Sequence, residues 1–304
     1  MPVLTVPEPA EQHAVSMSDG AQILLRRYGN PAGPRLALSH GNGLAIDAYL
    51  PFWQLLAERY DLVLFDMRNH GRNPLHRLEG HTWERMTLDM GEIRDAIAAR
   101  FGPRPVTGAF HSLSAVAAVR YVLDGGTGWS RLVLFDPPIY PPEGHPLIVR
   151  QEQHLQDMVQ RSRRRTEWYH SPHEFAGLIR SRPQFSRWRE GAHELFARST
   201  LRREPETGLW HLACPRQFEA HIFETNRDGT VWPRVVEAFA APTAIIGADP
   251  DLAIHEGPAL VCRALAEAAG LDYQNVPGTT HLLQLEEPEA CVAALERAIA
   301  SLDA

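Results

Sequence analysis

The stretch VTGAFHSLSAVAAV, residues 106–119, decides the reading of this chain. Valine and small residues run toward His111 as a buried strand would, then Ser112 interrupts them, and an Ala- and Val-rich helical stretch follows. A serine hydroxyl is inert until it is exposed on a turn, aligned with a base and faced by donors for developing negative charge. A sharp strand-turn-helix supplies that exposure, and its pattern is small-x-Ser-x-small. Ser112 takes the centre and Ser114 the second small position, while Phe110 puts bulk where a small residue is expected. Taken alone the stretch also fits a helix N-cap serine. With Ser114 as the nucleophile instead, Ser112 would fill the first small position and Val116 the second.

The order of the segments around this turn narrows the choice. Upstream, LALSHGNGL (residues 36–44) reads as a strand ending in His40-Gly41-Asn42-Gly43. Downstream, PTAIIGADPDLAI (242–254) reads as a short buried strand running into Asp249 and Asp251. YQNVPGTTHLLQL (273–285) then reads as a strand, a Pro-Gly turn and His281. In this arrangement the chain resembles the α/β-hydrolase-fold superfamily, specifically its capped serine hydrolases, in which the acid follows a later strand and the histidine lies near the C-terminus. The resemblance extends over almost the whole sequence and is weakest at about residues 140–230.

The alternation of elements predicts the same class. A hairpin over residues 14–28 turns at Asp19-Gly20, followed by apolar strands LALS (36–39), DLVLFD (61–66) and RLVLFD (131–136). Helical stretches fall at 47–60 and 82–101, the second stopped by Gly102-Pro103. The expected fold is α/β, a mostly parallel central sheet flanked by helices, and the resemblance to α/β-hydrolases implies that the segment inserted after the sixth strand forms a helical cap. The core domain is expected over residues 1–136 and 237–304, and the cap over 137–236. Helices are expected in the insertion near 151–169, 173–180, 190–199 and 215–225. Trp168, Trp188, Trp210 and Trp232 are candidates for its packing or for apolar pocket walls, and the run Arg161–Arg165 for a solvated helix face.

The resemblance implies a Ser-His-Asp triad with Ser112 as nucleophile and His281 as base. Asp249, in the Asp-Pro that ends its strand, is the favoured acid; Asp251 is the alternative, and Asp136, after the preceding strand, a third possibility. It also implies an oxyanion hole from the backbone N–H groups of Asn42 and Leu113, with His40, Gly41, Gly43 and His111 near the substrate pocket. Asp66 and Arg68 are expected to brace their loop, and His70 is a further pocket candidate. The implied activity is hydrolysis of an ester, thioester or lactone of a small, partly apolar molecule through an acyl-enzyme. The same fold also supports C–C bond hydrolysis, lyase, acyl-transfer or cofactor-free oxygenase chemistry, and Phe110 keeps open a ligand-binding protein with vestigial turnover.

Composition bounds these readings. A net charge of -7 argues against a general nucleic-acid binder. Three widely spaced cysteines, Cys214, Cys262 and Cys291, imply no disulfide framework. No HExxH or phosphate-loop pattern occurs, so neither a metal nor another cofactor is expected. The N-terminal residues have neither a basic start nor an apolar run, and no stretch has the length of a membrane span, so a cytoplasmic protein acting on a small molecule is expected.

Overall fold

The computed structural model describes residues 4–252 and 257–303, so the last two residues of the stretch 242–254 lie outside the described residues. Eight strands form one sheet in the order β1-β2-β4-β3-β5-β6-β10-β11: Glu11–Ser16, Gln22–Gly29, Asp61–Phe65, Arg35–Ser39, Val106–His111, Arg131–Phe135, Thr243–Gly247 and Asp272–Asn275. The hairpin pairs β1 with β2 antiparallel, β2 pairs antiparallel with β4, and every pairing from β4 to β11 is parallel. β3, β4, β5 and β10 are buried along their whole length, as strands covered on both faces must be.

The helices are α1 (Leu50–Trp53), α2 (Trp83–Phe101), α3 (Leu113–Leu123), α4 (Ile148–Arg163), α5 (Pro172–Arg180), α6 (Ala192–Thr200), α7 (Arg216–Thr225), α8 (Val231–Ala238), α9 (Pro258–Ala269), α10 (Leu283–Glu286) and α11 (Pro288–Leu302). One face of the sheet is covered by apolar side chains of α2, α3, α8 and α9, among them Met86, Val116, Trp232 and Leu265. The other is covered from α1, α10 and α11, among them Trp53, Leu285 and Leu295. Thr82 caps α2 by accepting from the Arg85 N–H at 3.2 Å. The helix expected at 47–60 is instead a chain of short turns, a 3-10 turn at Ile46–Tyr49, α1 and a 3-10 turn at Gln54–Leu56. Pro51 stands at its N-terminal end, where proline lacks no needed donor.

Between β6 and β10 lie α4 to α8 and a three-stranded antiparallel sheet of β7 (Trp168–Tyr169), β9 (Trp210–Leu212) and β8 (Leu201–Arg203). These strands escape sequence reading because two or three residues carry no measurable alternation. The expected boundary between residues 236 and 237 falls inside α8, whose Val231, Trp232 and Val235 belong to the core beneath the sheet. Trp188 is likewise buried, whereas Trp168 is exposed.

Strand order places the site. β4 lies on one side of β3 and β5 on the other, so the carboxyl ends of β3 and β5 mark the topological switch point, the place where sheets of this kind bind ligands. Ser39 of β3 pairs with Phe110 of β5, so His40-Gly41 and His111-Ser112 emerge side by side.

Candidate active site

Ser112 follows β5 with φ 51° and ψ -109°, a left-handed conformation that a non-glycine residue holds only under constraint. The constraint is visible: its N–H donates to the Phe135 carbonyl at 3.0 Å, and its carbonyl accepts from Val116 N–H at 3.0 Å as α3 begins. A Cβ on Gly41 would come within 3.1 Å of Ser112 Cβ and 2.9 Å of Leu44, so only glycine lets the two loops meet here. Phe110 does not disturb the turn. Its ring packs edge-on against Phe65 and Trp129, above Gly108, where an added Cβ would lie 2.3 Å from it. The small residue that the pattern asks for is thus supplied two positions earlier on the strand. Ser114 is buried, and its hydroxyl both accepts from His111 N–H at 3.1 Å and donates to the His111 carbonyl at 3.0 Å, which commits it to the turn.

Ser112 Oγ lies 2.9 Å from His281 Nε2, and His281 Nδ1 lies 2.6 Å from Asp136 Oδ2. An ionised carboxylate only accepts, so Nδ1 carries the proton, Nε2 presents its lone pair, and the serine hydroxyl donates to it. Asp136 is fully buried while the His281 side chain is 30% exposed, so the carboxylate is shielded from water and the imidazole is reachable. Asp136 also has positive φ, 45°, and its Oδ1 accepts from Ala248 N–H at 3.1 Å.

This pairing corrects the expectation that Asp249, or else Asp251, meets His281. The reason is register. His111 pairs with Phe135 across β5 and β6, so Ser112 and Asp136 are the next residues on adjacent parallel strands. Phe135 pairs with Ile246 of β10, which leaves Asp249 two residues past the position level with Asp136. Asp249 instead holds the backbone of the His281 loop: its Oδ2 accepts from Gly278 N–H at 2.7 Å, and its N–H donates to the Thr279 carbonyl at 3.1 Å. Asp251 is exposed and lies 3.8 Å from Arg263.

The His40-Gly41-Asn42-Gly43 loop is held from beneath by two histidines. His40 Nδ1–H donates to the Gly41 carbonyl at 2.8 Å and its Nε2 accepts from Met67 N–H at 3.1 Å. His70 Nδ1–H donates to the Arg68 carbonyl at 2.8 Å and its Nε2 accepts from Gly43 N–H at 3.1 Å. Burial pushes His40 down to about 4 and His70 to about 3, so both are neutral supports. His40, His70 and His111 are fully buried, which corrects the expectation that they face a pocket. The N–H groups of Asn42 and Leu113 enter no hydrogen bond among the described residues. Asp66 and Arg68 brace their loops as expected: Asp66 accepts from Ile46 N–H at 2.8 Å and Arg72 N–H at 3.0 Å, and Arg68 pairs with Asp89 and Asp19.

Sequence reading expected a cap from the insertion but missed Glu219 as the residue of it that touches the loop. Asn42 Nδ2 donates to the Glu219 carbonyl of α7 at 2.9 Å, and the Glu219 carboxylate pairs with Arg165 at 2.7 Å. Burial pushes the Glu219 carboxyl up against the pull of Arg165, and a Cβ on Gly43 would lie 2.7 Å from it. A lone Glu in an amphipathic helix carries no signal of such a contact. The remaining arginines of the 161–165 run are exposed, as a solvated face requires. Among the described residues no group of three or more His, Cys, Asp or Glu is placed to hold a metal ion, and no helix is long and apolar enough to cross a membrane.

Residues 36–294 match the alpha/beta hydrolase family, and the chain belongs to it. It is similar in structure to E-2-(acetamidomethylene)succinate hydrolase, with a TM-score of 0.78, 16% identity, and 95% of this chain and 99% of that one covered. It is also similar to the thioesterase domain from the curacin biosynthetic pathway, with a TM-score of 0.73, 15% identity and coverage of 94% and 99%. A thermophilic esterase from Thermogutta terrifontis follows, with a TM-score of 0.67, 15% identity and coverage of 96% and 99%. At such identities the likeness is one of fold. No curated protein matches the sequence.

Proposed function

We propose that this protein is a serine hydrolase that cleaves an ester, thioester or lactone of a small, partly apolar molecule, with Ser112, His281 and Asp136 as its triad. One observation carries the reading: a strained serine whose Oγ, through His281 Nε2 and Nδ1, joins one hydrogen-bonded line to the buried Asp136. In this mechanism His281 takes the Ser112 proton as Oγ attacks the acyl carbonyl, and Asp136 holds the tautomer and stabilises the imidazolium. The carbonyl oxygen becomes an oxyanion between the N–H groups of Asn42 and Leu113. The imidazolium then protonates the leaving oxygen or sulfur, and water hydrolyses the acyl-enzyme by the same route.

The insertion at 137–236 acts as the cap in this reading. Its support is the α7 contact with Asn42, which ties the cap to a proposed oxyanion donor. The likeness to a thioesterase and an esterase favours acyl-oxygen or acyl-sulfur bonds. The three cysteines are free and buried, which fits a reducing cytoplasm.

The test is labelling with a fluorophosphonate, with the adduct located by mass spectrometry, followed by hydrolysis of short-chain p-nitrophenyl esters and acyl thioesters. Ser112 is expected to carry the adduct, and Ser112→Ala to lose at least about 10⁴-fold in turnover while keeping its fold. An adduct elsewhere, or turnover that survives Ser112→Ala, would overturn the assignment. Labelled Ser112 with no acyl hydrolysis would move the protein to C–C cleavage or acyl transfer.

A further inference from the structure

We propose that Tyr49 and His111 are positioning residues whose hydrogen bonds lock the oxyanion loop, the nucleophile turn and the histidine loop into one register. This rests on reading Ser112 and His281 as nucleophile and base. His111 Nε2 lies 2.8 Å from the His281 backbone carbonyl, and His111 Nδ1 lies 2.7 Å from Tyr49 Oη. Tyr49 Oη in turn accepts from Gly41 N–H at 3.3 Å.

The chemistry of the ends sets the direction of the whole line. The His281 carbonyl only accepts, so Nε2 of His111 must carry the proton, and a neutral imidazole then offers a lone pair at Nδ1. The Tyr49 hydroxyl must therefore donate to Nδ1, and its oxygen is left to accept from Gly41. Both side chains are buried, with 1% exposure each, so water does not compete for these bonds. Burial holds His111 well below the usual imidazole range and raises the Tyr49 phenol well above its own, so burial favours the neutral form of both side chains of the line. A neutral His111 also matters because its ring centroid lies 4.7 Å from that of His281, where a second positive charge would oppose the imidazolium.

Three points on the line belong to different parts of the proposed machinery. Gly41 precedes the proposed oxyanion donor Asn42, His111 precedes Ser112, and the carbonyl belongs to the base itself. Tyr49 sits in the turn at Ile46–Tyr49, against which α6 of the insertion packs. A line of this kind aligns groups whose small misplacement is costly to the reaction.

The test measures fluorophosphonate labelling and p-nitrophenyl butyrate hydrolysis in Tyr49→Phe, His111→Gln and His111→Asn, with thermal melts for each. The amide nitrogen of Gln reaches the place of Nε2 and can donate to the His281 carbonyl, whereas that of Asn falls short. Tyr49→Phe should lower kcat and the labelling rate by about 10-fold with KM within about twofold. His111→Gln keeps the donor to the His281 carbonyl but not the acceptor for Tyr49, so it should lose about 10-fold as Tyr49→Phe does, and His111→Asn, without the donor to the His281 carbonyl, should lose about 30-fold or more. Equal rates for Gln and Asn, or an unchanged Tyr49→Phe beside an inactive Ser112→Ala, would overturn the relay alone. If His111→Asn fails to fold, Tyr49→Phe and His111→Gln decide. An unlabelled Ser112 in the parent protein would overturn the underlying reading and the relay with it.

Discussion

The end of β6 and the loop after β10 each present an aspartate to the same histidine loop, and they treat it differently. Asp136 meets the imidazole of His281 at 2.6 Å, while Asp249 holds the backbone N–H of Gly278 at 2.7 Å. Both strands are parallel neighbours in the sheet, and both aspartates precede a proline in the sequence. What separates them is register: Asp136 directly follows the residue paired with His111, and Asp249 comes two residues after the strand has ended. Motif likeness in a strand-end loop therefore does not determine which carboxylate reaches a ring; strand alignment does.

That division can be broken by comparing the two positions. Asp136→Ala should lose about 10³- to 10⁴-fold in kcat, because the tautomer and the imidazolium both lose their partner. A loss of tenfold or less with the fold intact would return the acid to the β10 loop.

Acid should act on stability through the buried histidines beneath the site. His40 and His70 are neutral in the fold, down at about 4 and about 3, but take up protons once unfolded. Above an unfolded value of about 6.5 neither state binds these protons, so their contribution is constant. As pH falls below that value the unfolded state gains protons first, and stability drops until the folded values are reached. Between pH 6.5 and 5 the pair should remove about 3 kcal/mol from unfolding free energy. Urea melts at both pH values check this, and paired His40→Gln and His70→Gln substitutions should flatten the slope.

Smaller effects should come from residues that only hold backbone. Asp249→Ala should slow turnover by about tenfold and reduce stability by about 1–3 kcal/mol, since Gly278 N–H loses its acceptor. If its loss matched that of Asp136→Ala, the distinction between holding a ring and holding a loop would fail. Asn42→Ala keeps the backbone donor and removes only the tie to the Glu219 carbonyl, so kcat should fall by about fivefold. Steady-state assays of the two variants side by side resolve their order.

Much of the architecture was legible in particular stretches. DLVLFD and RLVLFD are continuous apolar runs because strands of a parallel sheet are covered on both faces, and they became β4 and β6. Thr82 and Gly102-Pro103 bound α2 through capping and proline chemistry that act locally. Ser112 and His281 were legible for the same reason, since a turn leaving a buried strand announces itself in adjacent residues. Phe110 was misleading because its bulk is answered by Gly108, a contact along one face of a strand that the turn pattern does not include.

The amino-acid order by itself thus determined the strand-helix alternation, the serine turn and the histidine loop, because propensity, caps and periodicity act over a few neighbouring residues. Only the tertiary structure decided that Asp136 rather than Asp249 meets His281, that His40, His70 and His111 turn inward, and that Tyr49 and Glu219 reach the site. Those outcomes depend on strand register and on contacts between residues up to 177 positions apart, which no local pattern encodes.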